Sequence, residues 1–309
     1  MARGVQSTRR SAREAAAAIS RMRKRKRLAV DPAVREQLER LTAPRREEAL
    51  LEGADRDYGL DLEFRRRVEP LFRFLFESYW RVEVIGIEHV PPSGPAILVG
   101  NHSGGLPFDA TMVAYALSSE RGPGRIARPL YDRFVERFGP VREFFRKLGG
   151  VPARYAVADE LLSRGELPVI FPEGVGGVAK LYDDRYHVGR FSTSAPRLSM
   201  RHRAPIVPFA VVGAEEIYPL IGRSAQIGRA LGAPYLPITP FFPFLGPLGL
   251  IPLPTKWTIV FGNRIHLYRE RRFQGAASTD FEAMADRLRR TVQILLRRQL
   301  RRRKSIFLG

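Results

Sequence analysis

The sequence predicts an α/β fold, in which a mixed, mostly parallel sheet is flanked by helices. Short, continuously apolar segments alternate along the chain with segments of helical periodicity. Strands without polar positions are typical of a sheet covered on both faces, and strand-helix alternation is typical of parallel pairing. The 309 residues are enough to bury a sizeable core around such a sheet.

Five short apolar segments are the predicted strands, and each of the first three is followed by a predicted helix. The strands are "AILVG" (96–100), "RIARPLY" (125–131), "LPVIF" (167–171), "PIVPFAVVG" (205–213) and "KWTIVFG" (256–262). The three helices cover 109–118, 132–148 and 190–202. We expect one domain over 61–278, preceded by a basic extension over 1–60 that is partly disordered or helical.

Residues 68–80 predict a further helix with one broad apolar face. The apolar positions at helical spacing are Leu71, Phe72, Leu75, Phe76, Tyr79 and Trp80. This face packs on the core in one interpretation and lies at a membrane interface in the other.

Residues 233–254 predict an irregular apolar loop. Its seven prolines exclude a regular transmembrane helix and a central strand. The loop either packs against the core or meets lipid or an acyl chain.

The chain ends in a predicted basic amphipathic helix over 279–309, packed on or next to the domain. Thr279 followed by Glu282 fits a capping box at its start. Arginines crowd one face, and the other face carries Phe281, Leu288, Val292, Leu295 and Leu296.

The positive charge is concentrated at the two ends of the chain. Lys and Arg number 52 against 32 Asp and Glu, for a net charge of +20, yet residues 28–286 carry only +2. Basic arms of this kind bind polyanions, namely nucleic acid, anionic lipid headgroups or other proteins.

No cysteine is present, which excludes disulfides, thiolate nucleophiles and zinc-thiolate sites. We expect no metal site, no signal peptide and no regular transmembrane helix.

The segment "ILVGNHSGGLPFDA" (97–110) is the strongest candidate for chemistry. It places His102 just after a predicted strand, and Asp109 begins the following apolar run. Sites in α/β sheets usually lie at this end of the strands. An Asp that accepts a hydrogen bond from one imidazole nitrogen fixes the tautomer and makes the other nitrogen a better base. The alternative is a loop histidine bonded to backbone, with Asp109 as a helix N-cap.

Three further segments are candidates for the site, and one of them is a buried strand that runs into a Pro-Glu-Gly turn. They are "LGGVPAR" (148–154), which ends in Arg154, "VIFPEGVGG" (169–177), which contains Glu173 and Gly174, and "APIVPFAVVGAEE" (204–216), which contains Pro208. An acid beside glycines that expose backbone N–H groups can bind a polar or anionic headgroup.

Taken together and in this order, the four segments resemble the lysophospholipid acyltransferase superfamily, over about residues 84–266. The resemblance implies a glycerolipid acyltransferase-like fold. One departure is that six residues separate His102 from Asp109, where four are commonest, with Gly104, Gly105 and Pro107 in the longer loop. In this respect the loop is more similar to the monoacylglycerol-acyltransferase-like branch.

The resemblance also implies roles for individual residues. His102 is then the general base that deprotonates the acceptor hydroxyl, and Asp109 orients and charges its imidazole. Acceptor binding falls to Arg154, Glu173 and Gly174, with Pro208 from the fourth segment. Lys180, Tyr186 and Arg190 follow the Pro-Glu-Gly turn, and we expect them to line the same headgroup cleft.

The expected function is transfer of a fatty acyl group to the hydroxyl of a glycerolipid acceptor, of the lysophospholipid or mono- or diacylglycerol type. Acyl-CoA or acyl carrier protein is the co-substrate, and no cofactor is expected. We expect a peripheral or monotopic protein at the cytoplasmic face of a membrane, held by anionic headgroups. A nucleic-acid-binding protein is the alternative from the basic arms, although the near-neutral core disfavours a nucleic-acid partner. Another is acyl-chain binding or hydrolysis on the same fold.

Overall fold

The computed structural model describes residues 58–102, 108–119, 122–178, 180–230, 232, 235–270, 273 and 277–309. The predicted extension over 1–60 therefore lies outside the described residues, apart from its last three. The glycine-rich loop with Gly104, Gly105 and Pro107 lies outside them as well.

Within the described residues, one seven-stranded sheet forms the centre of the fold. Its strands are β1 (Glu83–Ile85), β2 (Ile97–Gly100), β3 (Ala127–Tyr131), β4 (Val151–Pro152), β5 (Leu167–Ile170), β6 (Ile206–Val212) and β9 (Thr258–Phe261), and a separate hairpin pairs β7 (Gly222–Ser224) with β8 (Leu236–Ile238). The spatial order is β1-β9-β6-β2-β5-β3-β4. Strands β2 to β6 pair in parallel, whereas β9 is antiparallel to β6, and β1 is parallel to β9. The predicted mixed, mostly parallel sheet is confirmed.

Helices cover this sheet on both faces. They are α1 (Leu62–Arg73), α2 (Phe108–Ser118), α3 (Gly139–Leu148), α4 (Tyr155–Ser163), α5 (Val175–Val178), α6 (Ser194–His202), α7 (Ala225–Ala230) and α8 (Ser278–Arg302). A π-helical turn, Phe74–Tyr79, extends α1, and 3-10 turns lie at Ile87–His89, Arg133–Arg137, Tyr182–Asp184, Ala214–Glu216, Gly246–Leu250 and Leu267–Arg269. Every residue of β2, β5 and β6 is buried, as their unbroken apolar sequences predict.

The predicted helix over 68–80 lies in α1 and its π-helical turn. Phe72, Phe76 and Trp80 are buried, and the indole of Trp80 stacks on Trp257 with ring centroids 4.6 Å apart. Core packing is therefore the correct interpretation for this side of the helix.

The C-terminal helix α8 has the predicted apolar face but neither the predicted cap nor the predicted extent to residue 309, because it ends at Arg302. Leu288, Val292 and Leu296 are fully buried in the cluster beneath β6. The capping box at Thr279 and Glu282 is wrong, because the helix begins two residues earlier. The N–H of Ala277 donates to Asp280 Oδ2 at 2.7 Å, which leaves Thr279 inside the first turn.

The apolar loop is anchored at both ends but is not buried in between. Most large apolar side chains between Phe241 and Ile251 are exposed. Packing against the core is therefore wrong for this part of the loop.

Candidate active site

The candidate site lies at the edge of the sheet where β2, β5 and β6 end. Because these three strands are parallel, their carboxyl ends meet at one edge. His102 follows β2 by two residues, Glu173 follows β5 by three, and the Ala214–Glu216 turn follows β6. Three of the four sequence motifs are thereby brought together.

His102 and Asp109 form a hydrogen-bonded pair at this edge. Nδ1 of His102 lies 2.7 Å from Oδ2 of Asp109, whose side chain is fully buried in the first turn of α2. The imidazole also stacks on Phe171, with ring centroids 4.4 Å apart and an angle of 23° between the planes. The imidazole thus bonds to a side chain, and Asp109 lies inside α2 rather than at its N-cap position, so the backbone-bonded alternative does not describe this pair.

The environment of His102 sets its pKa by opposing effects. Burial lowers the pKa of the imidazole, but the charge and hydrogen bond of Asp109 raise it, and the charge of Glu173 raises it further. The pKa of His102 is raised above its ordinary value as a result. Because Nδ1 is hydrogen-bonded to Asp109, Nε2 is the nitrogen that can exchange a proton with a bound molecule.

A cavity of about 880 Å³ opens beside His102, which forms part of its wall. This volume suits a ligand of drug or lipid size, for which pockets span about 300–1,000 Å³. The deep wall is apolar and includes Phe72, Phe76, Ala114, Leu130, Val135, Phe145 and Phe171. The site thus combines a proton-transfer group with room for an apolar chain.

One face of α1 supplies several of the polar groups in the cavity wall. Arg65, Arg66, Glu69 and Arg73 lie at helical spacing along it. Tyr115 donates to Glu69 Oε1 at 3.0 Å, and burial together with this carboxylate raises the pKa of Tyr115 to about 12. The sequence motifs did not predict these residues, and only the helical spacing of the charged positions could have indicated them.

Glu173 is a buried carboxylate that binds the backbone of His102. Its Oε1 accepts from the backbone N–H of His102 at 3.3 Å, and its Oε2 accepts from the N–H of Gly189 at 2.7 Å. The Glu173 side chain is only 1% exposed, and its Oε2 lies 3.4 Å from Lys180 Nζ. This carboxylate is thus occupied by groups of the protein.

Lys180 lies between two buried carboxylates. Besides Glu173, its Nζ contacts Oε1 of Glu215 at 3.2 Å. Burial lowers the pKa of Lys180, but Glu215 and Glu173 outweigh it and raise the pKa overall. The prediction that Lys180 lines the headgroup cleft is corrected, because its ammonium points into this cluster.

Glu215 and Asn101 complete the cluster and were not predicted as site residues. Burial raises the pKa of Glu215, Lys180 opposes this effect, and the net direction is upward. Nδ2 of Asn101 donates to Val211 O at 3.1 Å and lies 3.4 Å from Glu215 Oε1. The residue that precedes the histidine is thereby fixed to the end of β6.

Arg154 lies close to the cavity but is ion-paired. It directly precedes α4, and Nη2 is 3.3 Å from Oε1 of Glu136, with both side chains less than one-fifth exposed. Its charge acts on Tyr131, a residue of the cavity wall. A headgroup role for Arg154 stays a prediction.

Three other predicted site residues, Gly174, Pro208 and Arg190, have different surroundings. Gly174 has φ +54° and open space around its Cα, which suits a turn that exposes backbone. Pro208 shares a face of β6 with Ile206 and Ala210, which pack in the cluster under α8. Arg190 is largely exposed and pairs with Glu282.

Tyr186 is buried, and its hydroxyl accepts from Gly213 N–H at 2.9 Å. The expected cleft positions of Arg190 and Tyr186 and the expected acceptor-binding role of Pro208 are therefore corrected. Pro208 faces the other side of the sheet, Arg190 lies on the surface, and Tyr186 is a buried support of the β6 turn.

Two findings concern what the described residues lack. None of their helices is both long and apolar enough to cross a membrane. Across the same parts of the chain, no group of three or more His, Asp and Glu side chains is arranged to hold a metal ion.

Comparison with known proteins gives one family and several relatives. A family model described as Acyltransferase matches residues 81–212. Uncharacterized proteins of Mycobacterium tuberculosis and Mycobacterium bovis are 41% identical over 261 residues, which cover 82% of this chain and 71% of theirs. One of Mycobacterium leprae is 40% identical and is covered to 70%. A crystal structure of a 1-acyl-sn-glycerophosphate acyltransferase, PlsC, from Thermotoga maritima matches with a TM-score of 0.48 and 17% identity, over 87% of this chain and 88% of that one.

Proposed function

Because this chain belongs to the acyltransferase family, we propose that it transfers a fatty acyl group from acyl-CoA or acyl carrier protein to the hydroxyl of a glycerolipid. The single observation that carries this proposal is the hydrogen-bonded His102 and Asp109 pair in the wall of a large apolar cavity. The acceptor is of the lysophospholipid or mono- or diacylglycerol type. Such acceptors are membrane lipids, and the proposed place of action is the cytoplasmic face of a membrane, to which the protein binds peripherally.

In the proposed reaction, Nε2 of His102 takes the proton of the acceptor hydroxyl while that oxygen attacks the thioester carbonyl. The carbon-sulfur bond then breaks, and the departing thiolate takes the proton from the imidazolium to leave as a thiol. Asp109 stabilises the imidazolium between these two steps, since its carboxylate lies 2.7 Å from Nδ1. The transfer needs no covalent acyl-enzyme.

The apolar part of the cavity is the proposed place of the acyl chain. It is surrounded by Phe72 from α1, Phe76 from the π-helical turn, Ala114 from α2 and Leu130 from β3. Burial of methylene groups there is favourable by about 0.8 kcal/mol each. The length of the cavity beyond His102 then sets the preferred chain length.

For an anionic acceptor, Arg154 beside Tyr131 and Arg73 in the wall of the cavity are the proposed cationic contacts. A guanidinium suits this task because its planar fork binds phosphate through two donors. A neutral acceptor needs neither group.

The test is incubation of the purified chain with acyl-CoA labelled in the acyl group and with a panel of acceptors, followed by lipid separation. The panel contains lysophospholipids, mono- and diacylglycerols and fatty alcohols. We expect label to move to at least one glycerolipid, with free thiol appearing only when that acceptor is present. Thioester loss without an acceptor would instead indicate a hydrolase.

A further inference from the structure

The most exposed apolar surface of the described chain has no part in the chemistry proposed above. We define the docking surface as Leu71 of α1, Phe74 of the π-helical turn that extends α1, the loop from Phe241 to Ile251, and Phe307 and Leu308 of the tail. Phe244 is 76% exposed and Leu248 is 68% exposed. A contiguous apolar surface of this kind marks an interaction site.

Hydrogen bonds tie the three parts of the docking surface together. The hydroxyl of Tyr79, whose ring lies 6.1 Å from that of Phe74, donates to Pro252 O at 2.6 Å. Nη2 of Arg81 donates to Pro254 O at 2.9 Å and to Phe307 O at 2.6 Å. The loop, the helix and the tail therefore form one surface.

The loop satisfies much of its backbone hydrogen bonding within itself. The N–H groups of Phe241 and Phe242 donate to Thr239 Oγ1, and that of Leu245 donates to Phe241 O at 2.7 Å. The N–H groups of Gly246 and Ile251 also donate within the loop, and Pro240, Pro243 and Pro247 have none. Internal satisfaction of the backbone is what hydrocarbon requires of a non-helical segment. A soluble protein partner makes no such demand.

The docking surface lies at the same sheet edge as His102. The N–H of Leu253 donates to Ile217 O at 3.0 Å, just beyond the carboxyl end of β6. The ring of Trp80 lies 5.1 Å from that of Phe108, the residue before Asp109. Moreover, α1 and its π-helical turn contribute Leu71 and Phe74 to the surface and line the cavity with Phe72 and Phe76.

The basic side chains beside the docking surface complement an anionic bilayer, and Glu77 of the π-helical turn is an exposed acid next to it. Residues 233–254 contain no charged side chain, and the tail that carries Phe307 directly follows the exposed Arg301, Arg302 and Lys304. Arginine and lysine beside inserted apolar groups favour anionic lipid by about 1 kcal/mol each near the surface.

We infer that the docking surface inserts into the interface of an anionic lipid bilayer and turns the mouth of the cavity toward it. A lipid acceptor then reaches His102 from the bilayer without crossing bulk water. The insertion itself is independent of the reaction, and only this route of entry rests on the proposed function.

The absence of cysteine from the chain allows a direct test with one fluorophore at a chosen position. Leu248→Cys and Ile294→Cys are labelled with an environment-sensitive dye in the full chain. Ile294 is the matched control, because it is 63% exposed on α8 and lies outside the docking surface. The probe is vesicles of phosphatidylcholine and phosphatidylglycerol in equal parts, with and without a nitroxide-bearing lipid.

We expect the dye at position 248 to shift to shorter wavelength on vesicle addition and to be quenched by the nitroxide lipid, while the dye at 294 does neither. In unlabelled protein at high salt, Phe244→Ser with Leu248→Ser should weaken vesicle binding roughly 100-fold or more, since each inserted side chain contributes about tenfold or more. Ile294→Ser should leave binding unchanged.

A dye at 248 that stays in water with vesicles present would overturn the inference. A dye that is already shielded before vesicles are added would also overturn it, because residues 1–57 or a second copy would then cover the surface. Neither readout involves turnover, so loss of acyl transfer with normal insertion would refute the proposed function alone.

Discussion

Substitution of Asp109 by Asn isolates the contribution of the carboxylate to the proposed base. The change keeps the shape of the side chain but removes the charge that lies 2.7 Å from Nδ1 of His102. The amide also offers an N–H to Nδ1, which favours the tautomer with the proton on Nε2. That tautomer cannot accept a proton from a hydroxyl at Nε2.

The distance sets the size of the effect. Two unit charges 2.7 Å apart interact by about 6 kcal/mol at an effective dielectric constant of about 20. A loss of 10²–10⁴-fold in rate, the usual range for general-base catalysis, corresponds to about 2.7–5.4 kcal/mol and fits within that interaction. We therefore expect Asp109→Asn to lower kcat by about 10²-fold or more.

The pH dependence gives the reaction a second signature. Asp109 raises the pKa of His102, and the base is active only when neutral, so activity should rise with pH through a limb that lies above the ordinary histidine value. The residual activity of Asp109→Asn should show this limb at lower pH. Steady-state transfer assays across the pH range measure both effects.

The chain provides a matched control in a second His-Asp pair. His202 Nε2 lies 2.7 Å from Asp159 Oδ1, between α6 and α4 and away from the cavity. Asp159→Asn makes the same chemical change and should leave transfer within about twofold of the unaltered chain. If folded Asp109→Asn protein transferred acyl groups as fast as Asp159→Asn, with the same pH limb, the Asp109 carboxylate would have no part in activating His102.

Other residues give further predictions. Lys180→Met leaves Glu173 and Glu215 buried without their cation and should lower the free energy of unfolding by about 3–5 kcal/mol, measured by denaturant titration. The deficit should be smaller at acid pH, where the raised pKa of Glu215 lets that carboxyl become neutral. Ala114→Phe narrows the cavity and should shift preference toward shorter acyl donors, whereas an unchanged chain-length profile would place the chain elsewhere. Arg154→Ala should raise KM for an anionic acceptor and not for a neutral one, and equal effects on both would contradict the headgroup role.

Elements with a local signal could be predicted from the sequence. The segment 97–110 has an unbroken apolar run, a glycine-rich stretch and a second apolar run, and these local patterns indicate β2 and α2. The His102 and Asp109 pair could be predicted from the same segment, because only six residues separate the two in the sequence.

Features that depend on distant contacts could not be predicted. Asn101 and Glu215 meet across 114 positions, so the buried cluster becomes visible only when β2 and β6 pair. The same holds for Lys180, which was expected in the headgroup cleft but is buried in that cluster. Successive residues of β6 point to opposite sides of the sheet, and both sides are buried. An unbroken apolar sequence therefore does not show to which side Pro208 points.

The role of His102 as the base is tested most directly by comparing acyl transfer by His102→Ala with transfer by His202→Ala. Thermal unfolding checks that each variant is folded. His102→Ala should lose about 10²–10⁴-fold in rate, and added imidazole should restore part of it through the space left in the cavity wall. His202→Ala should retain the rate and gain nothing from imidazole. Transfer by folded His102→Ala at the rate of His202→Ala would contradict the central claim that the imidazole of His102 is the base of this acyltransferase.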